Sequence, residues 1–143
     1  MDKRLISTVI ELKQIHAIET WGLRHRVMWA DKPLDFVKLP NDAQGLHYGL
    51  FEDSKLVSVI SMFANGEQAQ FRKFATDMSR QGKGYGSKLL NFMIDEAQKQ
   101  GIKELICDAR VTAIGFYEKF GMQIDSEVFQ KSGKDYVRMS LKI

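Results

Sequence analysis

The spacing of apolar residues changes period at one point in the chain, between residues 77 and 85. Before this point, residues 46–52, 56–64 and 67–77 are rich in β-branched and aromatic side chains, and short turn sequences separate them. One of these turns, Asn65-Gly66, is typical of a two-residue hairpin. The pattern therefore predicts three antiparallel strands joined as a meander.

Beyond this point, apolar residues repeat every three or four positions, which predicts an amphipathic helix that begins near Tyr85. Gly101 is placed to end this helix as a C-terminal cap. Residues 104–107 then form a short apolar run of the kind that is buried in a parallel sheet. A brief second helix is expected over residues 113–120.

Two predicted strands close the chain, residues 122–130 and 134–142, and another opens it, residues 5–10. Helical spacing follows over residues 12–27, and an irregular stretch with both prolines, residues 31–45, precedes the meander. The order of elements predicts an α/β fold with a central, mostly antiparallel sheet of about seven strands, one parallel crossover and flanking helices. We expect the long irregular stretch to form a functional rim.

Composition excludes several classes of protein. The 143 residues are 44% hydrophobic and 27% charged, which is typical of one globular domain spanning residues 1–143. A net charge of +3, spread along the chain, does not favour nucleic acid. The apolar runs are too short for a membrane span, and the first residues lack a signal-peptide pattern, so we expect a cytoplasmic protein. The single cysteine, Cys107, and the absence of zinc-ligand spacing predict neither a disulfide nor a metal site.

Three of the eleven glycines, Gly82, Gly84 and Gly86, lie in the short segment between the third meander strand and the long helix. Glycine permits backbone angles and close approaches that a Cβ would prevent. The N-terminus of a helix presents unpaired N–H groups and the positive end of its dipole. Together these features predict a cradle for an anion such as phosphate or diphosphate.

The glycine spacing fits neither of two common nucleotide motifs. The P-loop pattern G-x-x-x-x-G-K-[ST] is absent, and the dinucleotide pattern G-x-G-x-x-G fails because Ser87 occupies its last position. A turn that only allows the helix to pack closely on the strand remains an alternative. A phosphate-binding α/β domain is another.

Two segments resemble the GNAT superfamily of N-acetyltransferases. Gln81, Gly84 and Gly86 fill the fixed positions of its pyrophosphate motif, [R/Q]-x-x-G-x-[G/A]. Residues 113–122, AIGFYEKFGM, are similar to its A-x-x-F-Y-E-K-x-G-F segment. Arg110 stands where the family often has asparagine, and Met78 where it often has proline.

The resemblance implies an N-acetyltransferase that uses acetyl-CoA, with the two middle strands of the sheet splayed apart to admit the pantetheine arm. Tyr117 corresponds to the tyrosine that often protonates the departing thiolate. The residues implied to bind the cofactor through their main chain are Phe74, Ala75, Thr76, Gln81, Gly82, Lys83, Gly84, Tyr85, Gly86 and Ser87.

The acceptor is expected to be a small-molecule amine or a peptide amine. Strand position alone makes Glu67, His47 and Asp108 candidates for a general base, and none is preferred. Cys107 lies in an apolar run and is interpreted as a small buried hydrophobic residue. A non-catalytic acyl-CoA-binding or sensing module is the alternative function. The sequence leaves open whether the chain acts as a monomer or as a homodimer.

Overall fold

Eight strands and three α-helices make up the regular structure in the computed structural model, which describes residues 7–143. In chain order they are β1 (Ile10–Ile15), α1 (Ala17–Leu23), β2 (Leu46–Glu52), β3 (Lys55–Asn65), β4 (Gln68–Thr76), α2 (Tyr85–Lys99), β5 (Glu104–Arg110), α3 (Ile114–Glu118), β6 (Gln123–Ile124), β7 (Phe129–Lys131) and β8 (Lys134–Lys142). Short 3-10 turns lie at Leu34–Val37, Asp42–Gln44, Met78–Arg80 and Val111–Ala113. No helix within residues 7–143 combines the length and the apolar character that crossing a membrane requires.

The described residues divide into two units, and β3, β4 and α2 each contribute to both. The first unit contains the described residues up to Ser61 together with Lys73–Met93. The second contains Met62–Arg72 and Ile94–Ile143.

In the first unit, the predicted hairpin of β2 and β3 is confirmed. Its turn residues Asp53 and Ser54 both have positive φ, 48° and 70°, as a tight hairpin turn of matching twist requires. β1 pairs antiparallel with β2, from Ile10↔Glu52 to Ile15↔His47. Part of the core beneath these strands is a cluster of buried apolar side chains from β1, α1, β3 and β4: Ile15, Leu23, Val59 and Ala75.

The N-terminal strand lies later in the chain than the sequence predicts. Helical spacing was expected from Leu12 onward, but Leu12 and Ile15 belong to β1, and α1 begins only at Ala17. Leu5, where the predicted strand begins, lies outside the described residues. The physical reason is that the main chain of Ile10–Ile15 finds its partners in β2, which local spacing does not reveal.

In the second unit, the predicted parallel crossover is confirmed. β4 and β5 are parallel, and their paired residues run from Gln68↔Glu104 to Gln70↔Ile106. The parallel register comprises these three residue pairs. β5 also pairs antiparallel with β8 along its whole length.

The helix end at Gly101 is also confirmed. Gly101 has φ +82°, and the next residue, Ile102, donates its N–H to the carbonyl of Ala97 at 3.0 Å. This is the glycine-terminated cap in which a left-handed residue lets the chain reverse.

The strand predicted over residues 122–130 is divided into β6 and β7. At the break, the hydroxyl of Ser126 accepts the main-chain N–H of Arg138 at 2.8 Å. A side chain thus replaces a main-chain partner of β8, and regular pairing stops there.

A buried ion pair connects α1 to the stretch between α1 and β2. Arg24, in a π-helical turn that follows α1, is fully buried and donates both terminal nitrogens to Asp42 at 2.9 Å. Asp42 also accepts the indole N–H of Trp21 and the main-chain N–H of Leu39. Burial opposes ionisation of Asp42, but these donors outweigh it and keep its pKa below the usual value. Arg24 is therefore a core residue and not part of a solvated helix face.

We expect Asp42→Ala to lower the free energy of unfolding by about 3–5 kcal/mol, because it leaves the Arg24 charge buried without a partner. Chemical denaturation at pH 7 measures this. Asp35→Asn is the matched control, since Asp35 forms an exposed ion pair with Lys38; it should change stability by less than about 0.5 kcal/mol.

The same ion pair makes the free energy of unfolding depend on pH. Because the folded pKa of Asp42 is depressed, its stabilisation is present above the unfolded value of about 3.9 and is lost as the pH falls through the folded pKa. Asp42→Asn should therefore flatten the acid limb of the stability curve. An unchanged acid limb would contradict the assignment.

Candidate active site

The glycine segment forms an open turn that leads directly into α2. Gly82 and Gly84 have φ of +81° and +80°, a region that side chains with a Cβ rarely adopt. Gly86 serves a different purpose, because a Cβ there would lie 3.3 Å from Cζ of Phe74 on β4. The first turn of α2 can therefore approach β4 closely.

The main-chain N–H groups of residues 81–87 have no hydrogen-bond acceptor among the described residues. None of them makes a hydrogen bond of normal geometry with any group in residues 7–143. The first bond closing α2 comes from Lys88, whose N–H donates to the carbonyl of Gly84 at 3.1 Å. A row of unpaired donors at the positive end of a helix is a site for an anion. These are the amides that the sequence assigned to anion binding.

The side chains of Gln81 and Asp77 form hydrogen bonds between the end of β4 and the start of α2. The side-chain amide of Gln81 donates to the carbonyl of Thr76 at 3.0 Å. Asp77 accepts the main-chain N–H of Ser79 at 3.0 Å and its hydroxyl at 2.7 Å. These bonds from Ser79, together with the guanidinium of Arg26, lower the pKa of Asp77 to about 2.

Glu52, at the end of β2, was not recognised from the sequence. One oxygen of its carboxylate accepts a hydrogen bond from Nε of Arg80. The other accepts a hydrogen bond from the hydroxyl of Tyr85 at 2.5 Å. The bonds from Tyr85 and Arg80 keep the pKa of Glu52 below its usual value. The charge of Arg80 is thus paired with a carboxylate, whereas Lys83 is exposed and has no carboxylate partner among the described residues.

β4 departs from regular strand geometry just before the three residues assigned to the pantetheine arm. Lys73 has φ +57°, which is unusual for a residue with a long side chain and marks a local distortion of the strand. The carbonyl of Ala75 accepts the hydroxyl of Ser58 at 3.3 Å, and that of Thr76 accepts Gln81. Both carbonyls thus accept a side-chain donor in the part of β4 that follows the distortion.

Tyr117 lies in α3, in the second unit. Its ring contacts Phe71 and Phe116, with centroids 5.8 Å and 5.2 Å away. Burial raises the pKa of its hydroxyl well above the usual value of 10. The hydroxyl is therefore protonated at neutral pH, and no described residue hydrogen-bonds it.

His47 is committed to the protein interior. It is 3% exposed, with Nε2 2.8 Å from the carbonyl of Asp42 and Nδ1 2.7 Å from the hydroxyl of Ser61. A carbonyl can only accept, so Nε2 carries a proton. The Ser61 hydroxyl accepts from Arg24 and can donate to Nδ1. His47 therefore has no nitrogen available to an acceptor amine.

The other two candidate bases are placed differently. Asp108 is held by Arg138 at 2.8 Å and by Lys131 at 3.3 Å, rather than by its neighbour Arg110. Burial raises the pKa of Asp108, but these two cations outweigh it and the net shift is downward. Glu67 is an exposed turn residue before β4.

Cys107 is buried, and its environment suppresses ionisation of the thiol. It is 2% exposed, and burial, followed by the charge of Asp108, raises its pKa to about 12. A thiol with that pKa is almost entirely un-ionised at neutral pH and is a poor nucleophile. The interpretation of Cys107 as a small buried hydrophobic residue is confirmed.

The predicted rim, residues 31–45, contains two 3-10 turns rather than a structureless loop. Its last residues line a cavity of about 400 Å³ together with the end of β1 and the start of α1. This cavity opens where β2 begins, whereas Glu52 lies where β2 ends.

Comparison with known proteins agrees with this geometry. Residues 37–143 match the family model described as acetyltransferase (GNAT) domain. A Bacillus subtilis (strain 168) protein named uncharacterized N-acetyltransferase YitI is 26% identical over 134 residues, which cover 87% of this chain and 90% of that protein.

Solved structures share the fold. A Bacillus subtilis acetyltransferase in complex with CoA superimposes with a TM-score of 0.71 at 21% identity, covering 96% of this chain and 99% of that one. A GNAT family acetyltransferase from Elizabethkingia anophelis with acetyl-CoA bound gives 0.74 at 16% identity, covering 94% and 98%. The GNAT-like fold that the sequence predicted is thereby confirmed.

We expect inorganic pyrophosphate to shift the amide resonances of residues 81–87 in a ¹⁵N-correlated spectrum, because no group in the described part of the chain accepts these N–H groups. The glycine turn at Ser132-Gly133, which joins β7 and β8, serves as the internal control and should not shift. Equal movement of both segments, or no movement at residues 81–87, would contradict an anion site.

Proposed function

Because the chain belongs to the GNAT family of acetyltransferases, we propose that it transfers the acetyl group of acetyl-CoA to a primary amine. The observation that carries this proposal is the row of main-chain N–H groups at residues 81–87 that no described group accepts. Their spacing along an open turn and a helix start suits a diphosphate, which offers several acceptor oxygens. The relatives solved with CoA and acetyl-CoA support the choice of this substrate.

In this proposal, the donor is held through the main chain. The N–H groups of residues 81–87 bind the diphosphate, and exposed Lys83 adds positive charge beside it. Phe74, Ala75 and Thr76 pair with the pantetheine arm through main-chain atoms, directly after the distortion of β4 at Lys73. No metal takes part.

Tyr117 is the proposed general acid. Because the pKa of its hydroxyl is raised, the hydroxyl remains protonated at neutral pH, as a group that donates a proton to a departing thiolate must. The amine attacks the thioester carbonyl directly, and the resulting tetrahedral species collapses with loss of the thiol. Cys107 has no part in this direct transfer.

The pKa of the acceptor amine determines whether a base is needed. Deprotonating a lysine-like amine at pH 7 costs about 4.6 kcal/mol, whereas an α-amine costs about 1 kcal/mol. His47 is fully hydrogen-bonded, and Asp108 is paired with two cations. Two of the three candidate bases are thus committed to protein partners, which favours an acceptor amine with a low pKa.

The remaining expectations stay predictions. They are that residues 1–143 act as a single domain, that the protein works in the cytoplasm without nucleic acid or membrane partners, and that the acceptor is a small-molecule or peptide amine. Monomer and homodimer both remain open.

The donor is tested by ligand-linked stabilisation. Acetyl-CoA at 100 times its Kd should add about 2.7 kcal/mol to the free energy of unfolding. ATP and NAD at the same concentration are the controls and should have little effect. No stabilisation by acetyl-CoA would contradict the proposed donor.

Transfer itself is tested by release of free thiol from acetyl-CoA in the presence of pooled amines and peptides. The enzyme should release thiol above background with at least one pool, and more with low-pKa amines. If acetyl-CoA binds but no pool raises release, the non-catalytic acyl-CoA-binding module is the correct function.

We expect Tyr117→Phe to lower kcat at least tenfold, which corresponds to about 1.4 kcal/mol in the barrier, while the Kd for CoA stays unchanged. The reason is that the substitution removes the proton donor and keeps the ring packed on Phe71. Tyr136→Phe, which removes a hydroxyl from a ring stacked on Phe129 in the same unit, is the control. Wild-type turnover in Tyr117→Phe would leave Tyr117 a packing residue only.

A further inference from the structure

One carboxylate connects both ends of the glycine segment. Arg80 stands just before residues 81–84, the part of the segment that precedes α2, and Tyr85 stands just after them, at the first residue of α2. Both donate to Glu52, Arg80 to one oxygen and Tyr85 to the other. Glu52 itself is held in regular structure, because it ends β2 and is paired with Ile10 of β1.

These two hydrogen bonds restrain a segment whose glycines could otherwise adopt many backbone conformations. Gly82 and Gly84 lie in open surroundings, where a Cβ would meet no atom within 4 Å, so packing does not hold them. Glycine also has the largest conformational freedom to lose on ordering. The bonds to Glu52 fix the two ends and thereby limit the shapes that residues 81–84 can adopt.

We propose that Glu52 is a positioning residue, which holds the glycine segment in the shape that receives the diphosphate. The inference rests on the proposed function for the identity of the ligand. Glu52 does not bind the ligand; it acts through Arg80 and Tyr85. Preorganising a binding loop strengthens affinity because less conformational entropy is lost when the ligand binds.

If Glu52 acted only through its negative charge, its removal would have the opposite effect on CoA affinity. A carboxylate near a diphosphate site repels the ligand, and removing it would free the Arg80 guanidinium to bind phosphate. Loss of Glu52 should then tighten binding. The sign of the change in affinity therefore separates positioning from charge.

The experiment measures Kd by calorimetric titration for CoA and for pantetheine, which lacks the diphosphate. Glu52→Ala should weaken CoA binding by slightly more than about tenfold, which corresponds to the lower end of the range for hydrogen bonds to a charged group. Pantetheine affinity should be unchanged. Glu11→Ala is the matched control, because Glu11 forms an exposed ion pair with Lys13 on β1 of the same unit; both affinities should stay at wild-type values.

Two conservative variants separate positioning from general damage to the fold. Glu52→Gln keeps one acceptor oxygen and should recover part of the CoA affinity. Tyr85→Phe keeps the buried ring but loses one bond to Glu52, so it should weaken CoA binding by less than Glu52→Ala. Combined with Glu52→Ala it should add no further loss, because the two residues act through the same contact.

The outcomes are distinguishable. Tighter CoA binding by Glu52→Ala, or equal loss for CoA and pantetheine, overturns the positioning role. So does wild-type affinity for CoA in Glu52→Ala. If the wild-type protein binds CoA no better than pantetheine, the assignment of the segment to the diphosphate fails first, and the positioning role falls with it.

Discussion

A helix cannot provide acceptors for its own first N–H groups, and α2 begins where residues 7–143 offer none either. The main-chain N–H groups of residues 81–87 are left open by an extended turn and by the close approach of Gly86 to Phe74. Unpaired donors are costly unless water or a ligand accepts them. Bonds from Gln81 to Thr76 and from Tyr85 to Glu52 connect this segment to the strands of the first unit.

Three carboxylates organise the first unit, and each is paired with an arginine. Asp42 holds Arg24 in the core, Asp77 holds Arg26, and Glu52 holds Arg80. The positive charges of these arginines, which the composition counts as net charge, are therefore offset by neighbouring carboxylates. These three arginines are paired with carboxylates, whereas Lys83 in the glycine segment is exposed.

Much of the fold could be predicted because its signals are local. The Asp53-Ser54 turn, the long helix ending at Gly101 and the parallel strand after it all lie where the sequence indicated. β1 was misplaced because Leu12 and Ile15 fit a helical spacing as well as a strand, and only pairing with β2 decides between them. The break between β6 and β7 depends on a Ser126 contact that no periodicity reveals.

The sequence by itself determined the period of each element and the glycine positions that open the anion cradle, because backbone angles and side-chain spacing are properties of neighbouring residues. Only the tertiary structure determined which charged side chains are paired with a partner. Arg80 meets Glu52 across 28 residues of chain, Tyr85 meets it across 33, and Arg24 meets Asp42 across 18. Such partners become neighbours only when strands pair and helices pack, so no local pattern records them.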